Sequence, residues 1–224
     1  MGSHITLTSS DGFALDAYEA RPTGPTKGGV VVIQEIFGVN SHIRSVADGY
    51  AEDGYYAVAP ALFDRVEKNV ELGYTDADVQ AGIGIARGKV DYTKAIFDLT
   101  AAAQRAAQAG KVGVVGYCWG GMLSAQCAVH LSGVVSACSS YYGGGIGGVV
   151  ANAPKVPIML HFGEQDHAIP LTEVDQVRSA WPNAVVYVYQ GAEHGFNCDQ
   201  RPSYNEASAT VAKARTLEFF GKYL

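Results

Sequence analysis

Apolar residues in this chain gather in short, almost unbroken runs. The clearest are Gly29–Glu35, Tyr55–Ala59, Lys111–Val115, Gly133–Tyr141, Val156–Phe162 and Ala184–Tyr189, each closed off by polar, glycine or proline positions. Runs of this length without alternation read as strands buried on both faces. Between them lie segments of helical character. One spans about His42 to Asp53, and a longer helical region reaches Ala109 and is clearest from the alanine-rich stretch after Val90. Another begins near Gly121, and a closing helix covers Ser203 to Phe220. At the front, Ile5–Ser9 and Phe13–Ala20 flank Ser10-Asp11-Gly12, the signature of a hairpin. Pro60 to Thr75 reads as a long loop. Strands alternating with helices predict one α/β domain over residues 1–224, with a mainly parallel sheet, helices on both faces and an N-terminal β-hairpin.

The chemistry starts where Val112-Gly113-Val114-Val115 runs into Gly116-Tyr117-Cys118-Trp119-Gly120. This is the nucleophile-elbow pattern G-x-S-x-G with cysteine at the centre. A strand that turns sharply into a helix lifts the central side chain above the sheet edge, and the helix N-terminus favours a thiolate there. In a glycine-rich chain the pattern alone is weak, and a buried cysteine acting as a small hydrophobe explains it equally well.

Order along the chain strengthens the reading. Asp166 follows the strand ending in His161-Phe162-Gly163, and His194 follows the strand ending in Tyr189. Nucleophile, acid and histidine therefore come in the order of an α/β-hydrolase, and strand carboxyl ends open onto one crevice. Cysteine needs an imidazole to take its proton, and a carboxylate sets the imidazole's tautomer. Asp166 as a mere cap near Ile169-Pro170, His194 as a surface histidine, and His161 as a satisfied core histidine are the plainer readings. A metal site built from His161, Asp166 and His167 lacks any paired ligand spacing, so none is expected.

Glu35 ends an apolar strand that topology sets beside the strand leading to Cys118. A carboxylate there requires a partner, and Arg44 is one candidate. Oxyanion donors are expected at the backbone N–H groups of Ile36 and Trp119. Phe37, Trp119, Tyr141 and Phe196 flank the motif loops, either as packing or as an apolar pocket wall.

Gln34-Glu35-Ile36-Phe37-Gly38-Val39-Asn40, Gly113–Gly121, Ser140-Tyr141-Tyr142-Gly143 and Glu193-His194-Gly195-Phe196 resemble the dienelactone hydrolase family, in family order and across nearly the whole chain. The resemblance implies an α/β-hydrolase fold and a triad of Cys118, Asp166 and His194. It also implies a catalytic Glu35 that hydrogen-bonds the resting thiol and activates it when substrate binds, and oxyanion donors at Ile36 and Trp119. Dienelactone-opening members hold the substrate carboxylate with two arginines. At those positions this chain has Cys198 and, without gaps, Gln80; Arg201 and Arg87 are the nearest replacements. The expected activity is therefore cysteine-dependent hydrolysis of a lactone or small ester. The alternative is a thiol redox sensor or binding protein in which Cys198 resolves Cys118.

Composition narrows the class. With 224 residues, 48% hydrophobic and 17% charged, the chain is long enough for a packed core. The net charge of −6, with no basic cluster, argues against nucleic acid or an anionic membrane as partner. The four cysteines at 118, 127, 138 and 198 lack paired spacing and read as free thiols of a cytoplasmic protein. A small lactone or ester is the expected partner, with no cofactor required.

Overall fold

The computed structural model describes residues 2–224. Eight strands form one sheet: β1 (Ser3–Thr8), β2 (Ala14–Ala20), β3 (Gly29–Ile33), β4 (Tyr56–Pro60), β5 (Val112–Tyr117), β6 (Ala137–Tyr141), β7 (Ile158–Gly163) and β8 (Val185–Tyr189). The helices are α1 (Ser41–Glu52), α2 (Asp76–Gly88), α3 (Tyr92–Ala106), α4 (Trp119–His130), α5 (Leu171–Ala180) and α6 (Glu206–Tyr223). Spatial order across the sheet is β1-β2-β4-β3-β5-β6-β7-β8. The β1–β2 hairpin and the β2–β4 pair are antiparallel, and every other pair is parallel. This is an α/β-hydrolase fold.

Strand β3 has β4 on one side and β5 on the other. The chain thus winds one way through α1 and then reverses to build β5 onward. Such a reversal opens a crevice above the strands' carboxyl ends. Register Ile33↔Gly116 sets the residues after β3 beside those after β5, which brings Glu35 and Cys118 to the same edge.

Helices cover both faces. Successive strand side chains point to opposite faces. Ser139 of β6 meets Thr216 of α6, whereas a Cβ at Gly121 of α4 would press on the hydroxyl of the next residue, Ser140. So α6 and α4 lie on opposite faces. Rings of Tyr50 and Tyr55 pack on Phe220, which places α1 with α6. The central strands β3, β4, β5, β6 and β7 are buried throughout, as their unbroken apolar runs require.

The boundaries shift where side chains compete with propensity. β3 stops at Ile33, so Gln34 and Glu35 belong to the loop. The predicted strand from Gly133 begins only at Ala137, because Val134 and Val135 N–H groups turn back to Leu131 O. The long helical region is two helices. Thr75 and Asp78 make a capping box that starts α2, and the Asp91 carboxylate accepts from Thr93 and Lys94 N–H to start α3. Helix α5 carried no sequence signal beyond Ile169-Pro170. Among the described residues no helix is long and apolar enough to cross a membrane.

Candidate active site

Cys118 sits at the turn between β5 and α4 with φ 55 and ψ −117, left-handed backbone that non-glycine residues avoid. Its N–H donates to Tyr141 O (3.0 Å), and its carbonyl accepts from Gly121 N–H (2.9 Å) and Met122 N–H (3.3 Å). These bonds hold the strained residue in place. The flanking glycines are forced by close approach. A Cβ on Gly116 would land on the Gly120 carbonyl, and one on Gly120 would lie 2.6 Å from Ile33 O. The G-x-C-x-G spacing is thus a steric consequence of the bend.

The other two residues of the predicted triad converge on this sulfur from separate loops. Asp166 lies after β7 and His194 after β8. His194 Nε2 is 3.1 Å from Cys118 Sγ, and its Nδ1 is 2.8 Å from Asp166 Oδ2. Asp166 Oδ1 accepts from Ala168 N–H (2.8 Å) and Ile169 N–H (3.2 Å). The capping role and the histidine contact are therefore performed by different oxygens of one carboxylate. Burial opposes a charged His194 ring, but the Cys118 sulfur and Asp166 outweigh it and raise its pKa from 6.5 to about 10. The arrangement favours an imidazolium held between the Cys118 sulfur and the Asp166 carboxyl group. Tyr142, with φ 38 and fully buried, sets its ring against His194 at 5.2 Å between centroids. Sequence reasoning gave Tyr142 no role; its signal was only adjacency to Gly143 in a motif.

Among the described residues, the N–H groups of Ile36 and Trp119 donate to no protein acceptor outside regular secondary structure. As first residue of α4, Trp119 has no intrahelical acceptor for its own N–H. Both residues are almost fully buried. Two free donors thus belong to residues adjoining Glu35 and Cys118.

Several expectations change. Glu35 is fully buried and paired with Arg201 (Nη1 to Oε1, 3.5 Å), not with Arg44, which binds Glu71 (2.7 Å) and Val39 O. Nor is Glu35 hydrogen-bonded to the thiol as the resemblance implied; the sulfur faces His194 instead. Arg201 does reach this region, packed against Gly195 and over the rings of Phe37 and Tyr74. Arg87 does not: it is exposed in the last turn of α2, with no ion pair among the described residues. Tyr141 and Phe196 are completely buried and Phe37 nearly so. Tyr141 directs its hydroxyl to Thr216 beneath the sheet (2.8 Å), and Phe196 packs among Tyr141, Tyr142 and Tyr189. These aromatics support the loops from within the core rather than forming an open pocket wall. His161 is fully bonded to Tyr189 and Thr216, and burial drives its pKa down to about 3, so it is a neutral core histidine. Cys198 is buried against Tyr74 and Glu35, with its thiol pushed up to about 11, and all four cysteines are free.

An α/β-hydrolase sheet carrying a cysteine, histidine and aspartate at its carboxyl edge defines a hydrolase class. The dienelactone hydrolase family model matches residues 15–224, and the chain belongs to that family. It is 30% identical over 233 residues to the carboxymethylenebutenolidase of Pseudomonas putida, covering 96% of this chain and 94% of that one. A Synechocystis sp. protein provisionally given the same name is 35% identical over 213 residues, covering 85% and 84%. Among solved structures, a provisional dienelactone hydrolase from Klebsiella pneumoniae superposes with a TM-score of 0.83 at 31% identity, covering 99% of this chain and 100% of that one. As a family member, this chain is a hydrolase acting on lactone or ester bonds.

Proposed function

We propose that the protein opens a lactone or cleaves a small ester through an acyl-enzyme on Cys118. The observation that carries this reading is the line Sγ–Nε2 at 3.1 Å and Nδ1–Oδ2 at 2.8 Å linking Cys118, His194 and Asp166. The thiolate attacks the carbonyl carbon, and the developing oxyanion is received by the Ile36 and Trp119 N–H groups. The tetrahedral intermediate collapses, the C–O bond breaks, and His194 gives its proton to the departing alkoxide. With a lactone that alkoxide remains tethered to the acyl group. His194 then takes a proton from water, hydroxide adds to the thioester carbonyl, and the sulfur leaves as thiolate. Asp166 holds the ring's tautomer and stabilises the imidazolium throughout. Glu35 and Arg201 form the charged floor beside the sulfur, with Arg201 one-fifth exposed and placed to meet an anionic group on the substrate.

The test is turnover of an aryl ester and an unsaturated lactone by wild type and Cys118→Ala, with intact-mass detection of the acyl-enzyme. Turnover should vanish, together with the acyl mass, while the fold persists. Undiminished turnover by Cys118→Ala would remove Cys118 as nucleophile.

A further inference from the structure

Behind the nucleophile lies a second group of side chains, of which the hydrolytic reading uses only Glu35. Glu35, His42 and Cys198 come from the loop after β3, from α1 and from the loop before α6. Each is buried, and one ligand-capable atom from each lies within 4.8 Å of the other two. A tetrahedral zinc with bonds of about 2.0–2.3 Å separates its ligands by roughly 3.3–3.6 Å, so shifts of about an ångström close the group around an ion.

Two of the three residues present a buried atom with no protein hydrogen-bond partner. Glu35 gives Oε1 to Arg201 and leaves Oε2 unpaired. His42 is 3% exposed; its Nδ1 contacts Asp199 Oδ1 at 3.1 Å, and its Nε2 is unpaired. A carboxylate on one ring nitrogen fixes the proton there and turns the other lone pair outward. This is the arrangement that outer carboxylates impose on metal-binding histidines. Buried unpaired polar atoms are costly, and two of them belong to residues of this one cluster. Glutamate, neutral imidazole and thiolate form a donor set suited to zinc and its neighbours rather than to calcium or magnesium. His42 and Asp199 line a surface cleft of about 280 Å³.

We infer that Glu35, His42 and Cys198 form a binding site for a divalent ion of the zinc class, with Asp199 orienting His42. On binding, the Cys198 thiol releases its proton to solvent as the sulfur–metal bond forms. The inference stands apart from the assignment of Cys118 as nucleophile.

Cobalt(II) is the probe, because a thiolate–cobalt bond gives a near-ultraviolet charge-transfer band. The full-length protein, freed of metal by chelator, is titrated with cobalt and then back-titrated with zinc. One ion per chain is expected in wild type and in Cys118→Ala. Cys198→Ser should abolish the band, and His42→Gln should weaken binding by at least about tenfold. Asp199→Asn, an exposed change that does not threaten folding, should weaken it about 10- to 100-fold. Circular dichroism of each variant separates lost ligation from lost fold. The inference fails if no band forms at millimolar cobalt. It fails equally if the band survives in Cys198→Ser or disappears in Cys118→Ala, which would move the ion to Cys118 and His194.

Discussion

Replacing Cys118 by alanine should change the titration of His194, and the size of the change follows from geometry. The ring nitrogen and sulfur are 3.1 Å apart. At an effective dielectric of about 20, a unit charge pair at that distance attracts by roughly 5 kcal/mol. Both groups are partly open to solvent, and halving the attraction for that screening leaves about 2–3 kcal/mol, or about two pH units. In wild type the ring titrates near 10. In Cys118→Ala the Asp166 carboxylate remains, burial remains, and the midpoint should fall to about 8. The assay is a pH series of imidazole ring carbon shifts by NMR, with His194→Gln used to assign the signal among the six histidines. The folded value lies above the ordinary 6.5, so stability from the charged ring is complete below that pH and is lost as pH rises through about 10. The variant should lose it near pH 8 instead. A wild-type ring titrating near 6.5, or a midpoint unmoved by the substitution, would refute the ion-pair reasoning.

Gly120→Ala forces a methyl into the Gln34 and Ile33 carbonyls and should cost about 2–4 kcal/mol by urea denaturation. Gly133→Ala, which meets nothing within 4 Å, should stay within about 0.5 kcal/mol of wild type. Arg201→Met strands the fully buried Glu35 and should destabilise by about 3 kcal/mol; most of that loss should be recovered in the Arg201→Met, Glu35→Gln double variant, and additive costs would show that the pair is not coupled. Tyr142→Phe deletes a buried hydroxyl without a partner and should be neutral or slightly stabilising in thermal melts, with turnover retained. Tyr142→Ala, by removing the ring against His194, should cost about 3–5 kcal/mol.

The sequence carried much of this architecture because its information is local. Val30–Ile33 and Val112–Val115 have no polar face, so they had to be buried strands, and the two elbow glycines announced a steric bend. Asp166 and His194 were legible through their order after strands. What escaped depended on distant pairing. Glu35 is matched with a residue 166 positions away, and no local pattern prefers Arg201 over the sequence-adjacent Arg44. Tyr141 and Tyr142 look alike in the chain. Strand alternation sends the first beneath the sheet to Thr216, while a left-handed backbone turns the second toward His194. His42 shows nothing on a helix until Asp199 and Cys198 fold against it.

The unequal settings of the sulfurs give the molecule a built-in chemical address. Cys127 and Cys138 are sealed in the core and Cys198 is covered as well, with thiols pushed far toward the protonated form. Of the four, Cys118 alone reaches solvent, beside the His194 ring. A mild electrophile should therefore tag the native polypeptide once, and a fluorophore or warhead delivered there would report directly on whatever enters the crevice.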